Sequence, residues 1–227
     1  MKLKKCLVML LAFSMLTCVT ACGGNDDENV KGSISSNDEN ASDTEQEVEL
    51  SLGKSEGSVY QSTFMGLGWN LPEGWQFLSE EEMQQMNEAV IDMMDEDIAA
   101  QLEEGAVLCD MYAFALSGDT INIQIEKLQN VTSILLDEES YAELSMQNTK
   151  EAFTQMGYTD ITMEQSTVTI AGEEHVAIDV SLTYDGVVLY EKLGLIKVGN
   201  YMCVITAASV TPEGLDTMFA NFYALEQ

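Results

Sequence analysis

The groups that could do chemistry in this chain are few in kind. There is one histidine, His175, and there are five cysteines, nine lysines and no arginine, against 39 acidic residues. A lone imidazole cannot supply a multi-histidine zinc site, and as a general base it needs a nucleophile beside it. His175 follows Glu173 and Glu174 on the polar side of an alternating segment, so a solvated strand residue is expected. Ser51 and Lys54 have the Ser-x-x-Lys spacing in which a lysine activates a serine, but the companion motifs are missing. Asp92, Asp95, Glu96, Asp97, Glu103 and Glu104 offer oxygen ligands to calcium without the Asp-x-Asp-x-Asp-Gly loop, so they read as a solvated acidic face. Glu173, Asp179 and Asp185 are the candidates for paired acid and base work in a hydrolase, which requires carboxyls roughly 5 to 9.5 Å apart. Met83, Met86, Met93 and Met94 suit either an adaptable peptide groove or, more commonly, a core. No glycine-rich phosphate loop or other cofactor motif occurs in the sequence.

The cysteines divide by position. Cys109 and Cys203 sit in apolar alternating segments, which favours two buried thiols, while a single disulfide between them stays open as the alternative. The other three lie within the first 22 residues. Lys2, Lys4 and Lys5 precede a 16-residue uncharged stretch, Cys6 to Ala21, that is too short to span a bilayer and fits the apolar region of a signal peptide. Val19-Thr20-Ala21-Cys22 then resembles the lipobox of bacterial lipoproteins, and Cys18 fits that pattern less well. The resemblance implies cleavage after residue 21 and a diacylglycerol on the Cys22 thiol, whose two chains give stable anchoring where one gives little. The chain is therefore expected to be extracytoplasmic and held to the cell membrane by lipid on Cys22.

Residues 1–21 hold three of the nine lysines and no acid, so the remaining side chains carry a formal charge of −33. Nucleic acid is excluded as a partner, because its binding rests on Lys and Arg neutralising phosphates. Cations, basic peptides or a basic protein surface are the electrostatic partners that remain. Residues 22–58 comprise the anchored cysteine and 36 residues with ten acids, two lysines and no aromatic, the composition of a disordered tether. As a flexible coil it would reach about 30 to 36 Å.

Aromatic residues and periodicity return at Tyr60, and residues 59–227 suffice for one domain with one core. Ser79-Glu80-Glu81-Glu82 is a capping box that opens a helix carrying Met83, Met86, Val90, Met94, Ile98 and Leu102 to a stop at Gly105. A second helix is expected from about Glu138 to Met156, stopped by Gly157, and a third from Pro212 with Leu215, Met218, Phe219 and Phe222 on one face. In Thr120 to Leu128, Ile121, Ile123 and Ile125 alternate with Asn122, Gln124 and Glu126, a half-buried strand with a polar outer face. Strands from His175, Val187 and Tyr201, joined by turns at Asp185-Gly186 and Gly199-Asn200, form a meander. With Val107 to Leu116, Phe64 to Asn70 and Thr167 to Ala171, the sheet has six or seven strands and the class is α+β.

This order, with Phe64-Met65-Gly66-Leu67-Gly68-Trp69-Asn70-Leu71-Pro72-Glu73-Gly74-Trp75, resembles the PsbP-like superfamily over residues 60–227. The resemblance implies an antiparallel sheet sandwiched between helices and a chain that finishes on a helix. Understood members are non-enzymatic accessory or binding proteins, and no functional residue of the family maps onto this chain. Trp75 itself reads as a core plug after a Pro-Gly turn. The expectation is a membrane-anchored, non-catalytic binding or accessory module with no cofactor, whose partner is an envelope protein, a peptide or a cation. A carboxylate hydrolase and a purely structural envelope component are the alternatives.

Overall fold

The computed structural model describes residues 49–91, 107–128 and 135–226. Cys22, the tether before residue 49, and the acidic and methionine-bearing run 92–104 lie outside the described residues. In chain order the elements are β1 (Lys54–Glu56), β2 (Val59–Ser62), β3 (Leu67–Asn70), β4 (Trp75–Phe77), α1 (Glu80–Ile91), β5 (Val107–Ala115) and β6 (Thr120–Lys127). Then follow α2 (Glu138–Gln155), β7 (Thr159–Ile170), β8 (Glu173–Tyr184), β9 (Val187–Val198), β10 (Tyr201–Ser209), α3 (Pro212–Phe219) and β11 (Phe222–Ala224).

The class is α+β, built on two antiparallel sheets rather than one. Seven strands in the order β4-β5-β6-β10-β9-β8-β7 form the main sheet, and β1-β2-β3-β11 form a smaller one. Tyr60, Leu67, Trp69 and Phe222 of the small sheet share a core with Met111, Ile121, Ile123, Cys203 and Ile205 of the main sheet and Leu215, Met218 and Phe219 of α3. The opposite face carries a second core under α2, with Tyr141, Ala142 and Phe153 against Ile178, Val180, Leu193, Leu195, Met202 and Val204. One face is thus covered mainly by strands, which corrects the expected sandwich between helices. Gly194 permits close packing on the first face, since a Cβ there would stand 3.0 Å from both Val168 and Ile170.

Local chemistry explains most element ends. Ser79 N–H and Oγ both reach Glu82 Oε2 at 2.8 Å and Glu82 N–H returns to Ser79 Oγ at 3.3 Å, the reciprocal capping box. Asp137 caps α2 by accepting from Ser140 N–H at 2.8 Å. Trp75 N–H bonds Pro72 O at 3.2 Å with Gly74 at φ +82°, a turn that needs glycine at its third position, and the Trp75 ring meets Trp69 edge-on at 5.9 Å. Asp185 and Gly186, at φ +47° and +79°, make the tight turn between β8 and β9.

Several expectations need correction. Phe222 lies in β11, paired with Trp69 of β3, and not on the third helix, so the described chain closes on a strand. The strand expected at Thr167 to Ala171 is the end of the 12-residue β7. The folded chain also starts before residue 59, because β1 pairs with β2 from Lys54↔Gln61 to Glu56↔Val59. The favoured reading of Cys109 and Cys203 holds, since both are free thiols. They stand opposite Gln124 and Ile125, consecutive residues of β6, and so project from opposite faces of the sheet, where no bridge can form. Burial, with Asp110 nearby, pushes both thiols up to about 12, which disfavours the thiolate.

A register shift in β5 between Cys109 and Met111 turns Asp110 into the space between the sheets. Its carboxylate accepts from Tyr60 OH at 2.5 Å and from Gly53 N–H at 2.7 Å, clasping the start of the small sheet to the main one. Asp110→Ala strands a buried tyrosine hydroxyl and should cost about 1 to 3 kcal/mol. Amide exchange in residues 53–62 should accelerate while β9 and β10 keep their protection; unchanged exchange there would refute the clasp.

Candidate functional site

The sequence places isoleucine at every second position of β6 and a polar residue at each position between. The isoleucines enter the first core as expected. The polar positions do not face water: Thr120, Asn122, Gln124 and Glu126 are all at most 3 % exposed. This overturns the half-buried reading of the strand, since β6 is covered on both faces until Lys127. Its amide side chains were the available signal, because a solvated strand face more often carries charge.

Neighbouring strands extend this polar face. Asn122 stands opposite Thr206 of β10 on one side and Tyr112 of β5 on the other. Glu191 of β9 stands opposite Ala208, which puts it diagonal to Thr206 on the same face. Tyr112 and Glu191 lie on this same face on strands at either flank of the β6–β10 pair. Tyr112, Thr206 and Glu191 are each at most 2 % exposed. From above, Tyr141, Ser145 and Thr149 form a buried stripe of α2 at four-residue spacing, and Tyr141 OH donates to Glu126 Oε2 at 2.5 Å.

Many of these polar atoms lack a protein partner. Among the described residues, Asn122 Oδ1, Thr206 Oγ1, Glu191 Oε2, Ser145 Oγ and Thr149 Oγ1 are buried without a hydrogen bond. Each such atom costs on the order of 1 to 3 kcal/mol, and native interiors leave few. Burial pushes Glu191 up to about 8, and it raises Glu126 to about 7 against the opposing bond from Tyr141. Burial also raises the Tyr112 hydroxyl, offset in part by Thr120, while Cys109 and Glu191 raise it further. Glu126 and Glu191 stand opposite Met202 and Ala208, six residues apart along β10, so about 20 Å separates them. They do not form an acid and base pair.

The other candidates are placed plainly. Glu173, Asp179 and Asp185 follow one another at six-residue steps along β8 and its turn, about 20 Å each, so the structure does not bring them together. Asp179 is held by the ammonium of Lys192 at one end of a shallow hollow between α3 and the outer strands. His175 is not solvated: its Nδ1 lies 3.6 Å from Glu138 Oε1, with 16 % of its side chain exposed. Glu138 also accepts from Lys197 N–H at 3.1 Å and from Val176 N–H at 3.5 Å, where β8 and β9 have ceased to pair. Burial alone would raise the Glu138 pKa, but the bonds from His175 and these amides outweigh it and lower the value. The carboxylate therefore pins the first turn of α2 to the sheet. Ser51 bonds Thr63, and Gly53 belongs to the Asp110 clasp. No group of three or more His, Cys, Asp or Glu with metal-binding geometry occurs among the described residues. No helix among them is long and apolar enough to cross a membrane.

No protein-family model matches the chain, and no curated protein matches it in sequence. Two solved structures are similar to it in outline. One is LpqN of Mycobacterium tuberculosis, described as involved in cell envelope biogenesis, at 10 % identity and a TM-score of 0.41 over 70 % of this chain and 83 % of that one. The other is a Bacteroides thetaiotaomicron protein at 12 % identity and a TM-score of 0.39, over 75 % of this chain and 49 % of that one. Likeness at this level carries no assignment of function. The resemblance to the PsbP-like superfamily rests on the Pro72-Gly74-Trp75 turn and the element order alone.

Because Glu191 has a folded pKa above its ordinary value of 4.5, folding favours its protonated form. Its contribution to stability is complete below about pH 4.5 and is lost as pH rises through 8. Glu191→Gln keeps the shape and removes that loss. Thermal unfolding from pH 5 to 9 should show the variant more stable at pH 8 to 9, by on the order of 1 to 3 kcal/mol, with little difference at pH 5. A parallel offset at every pH would refute a neutral, buried Glu191.

Proposed function

We propose that this protein is an extracytoplasmic lipoprotein, anchored through Cys22, whose folded domain is a non-catalytic binding or accessory module. The observation that carries the reading is Val19-Thr20-Ala21-Cys22 placed at the end of a charged and then apolar leader. The acidic tether that follows supports it by holding a domain away from the surface. The domain supports it further, because the candidate carboxylates Glu173, Asp179 and Asp185 follow one another at steps of about 20 Å and His175 is engaged by Glu138. Its partners are an envelope protein, a peptide or a cation, in keeping with the charge.

Cys22→Ala tests the anchor. Cells fed an alkyne analogue of palmitate should label the parent chain and leave the variant unlabelled, and the variant should move from the membrane fraction to the soluble one. An unlabelled parent chain with a mature N-terminus at Cys22 would refute the anchoring. For the domain, the tethered chain should retain a specific envelope component through washing; turnover of an envelope polymer without retention would refute the binding role.

A further inference from the structure

We infer that the outer face of the small sheet, centred on Tyr223, binds the equatorially substituted pyranose rings of a neutral glycan. This deepens the reading of the domain as a binding module, on which it rests, and adds a ligand class that the net charge does not select. Four strands build the platform. Lys54 of β1, Gln61 of β2, Gly68 of β3 and Tyr223 of β11 are successive cross-strand partners. They form one row across the sheet, on the side away from the core residues Tyr60, Trp69 and Phe222. Gly68 leaves a gap in that row and the end of the Tyr223 ring fills it, since a Cβ on Gly68 would stand 2.2 Å from Tyr223 Cζ. Beyond the glycine, Gln61 Nε2 donates to the Tyr223 hydroxyl at 3.4 Å. The ring therefore lies along the row instead of standing off the sheet, and it is only partly buried.

Space and chemistry agree with that occupant. Tyr223 borders a hollow of about 650 Å³, inside the roughly 300 to 1,000 Å³ range of small-molecule sites. Leu52, Lys54, Glu56, Val59 and Gln61 line the same hollow, and Leu52 is 52 % exposed. A pyranose with equatorial substituents is amphipathic in the same sense: its axial C–H bonds make a flat apolar face, and its hydroxyls make a polar rim. The C–H face fits an aromatic ring laid on a sheet, with Leu52 and Val59 extending the apolar contact. Each hydroxyl both donates and accepts, which matches the ammonium of Lys54 as donor, the carboxylate of Glu56 as acceptor and the amide of Gln61 as both. Lys54 and Glu56 take no part in the ion pairs among the described residues, so both heads are available to a ligand. Their charges offset each other within the hollow, which favours a neutral occupant over an anion or a cation.

Calorimetric titration of the full chain with cellohexaose, in a detergent without a sugar headgroup, tests this. Saturable binding at one site is expected, and raising the salt concentration should leave it unchanged because charge does not carry it. Sorbitol, which has the hydroxyls but no ring face, should bind at least tenfold more weakly. Tyr223→Leu removes the aromatic face and should weaken cellohexaose at least tenfold, whereas Tyr223→Phe keeps the ring and should weaken it no more than severalfold. Gln61→Ala, at an exposed position, should weaken it severalfold with thermal unfolding unaltered. Absent binding, equal binding of sorbitol, or binding indifferent to both Tyr223→Leu and Gln61→Ala would each overturn the proposal. Retention of an envelope protein by a chain that ignores cellohexaose would overturn the ligand class and leave the binding-module reading standing.

Discussion

The ladder between β6 and β10, which pairs residues from Thr120↔Ala208 to Lys127↔Tyr201, is shielded from water on both faces. A strand pair at the centre of a seven-stranded sheet has its backbone groups satisfied laterally, so what distinguishes its two sides is the side chains alone. On one side Ile121, Ile123, Ile125, Cys203 and Ile205 meet the small sheet and α3 in an apolar core. On the other, Asn122, Gln124, Glu126 and Thr206 are equally shielded but polar. Covering layers are needed on both sides: β1, β2, β3, β11 and α3 supply the first, and α2 reaches the Glu126 end of the second through Tyr141.

What was legible in the sequence is what short-range chemistry determines. The Ser79 capping box, the start of α3 at Pro212, the end of α2 before Gly157 and the Asp185-Gly186 turn depend on residues within four positions of one another. What was illegible depends on partners far away. Strands of three or four residues such as β1, β4 and β11 have too few positions to show a period, and each exists because a distant strand pairs with it. Glu138 reads as one more acid in a first helical turn, yet its partners lie 38 and 59 residues further on. The polar face of β6 failed for another reason. Period-two alternation says that two faces differ, and it does not say that the polar one is wet.

Charge is distributed unusually across the fold. The chain is strongly acidic, and most of its described carboxylates are exposed or paired, as Glu82 and Asp137 are with helix-start amides. Among the described residues three carboxyls are instead taken inside: Asp110 between the sheets, and Glu126 and Glu191 on the polar face. Asp110 receives two bonds and Glu126 one from a tyrosine, whereas Glu191 is shifted by burial alone. The first two therefore serve cohesion, and Glu191 stands out as a buried carboxyl whose Oε2 has no hydrogen bond among the described residues.

The Asp110 clasp has a mechanical side. A pull applied to the chain at residue 49 meets Leu50 on the core and the Ser51–Thr63 bond, then Gly53, whose N–H is bonded to Asp110, before it reaches the three-residue pairing of β1 with β2. Tyr60, on the next strand, is bonded to the other oxygen of the same carboxylate. The load thus passes directly into β5, next to the central strand pair, and does not peel β1 off one ladder rung at a time. A single bulged residue therefore joins the entry point of the chain to the main sheet as well as to the small one.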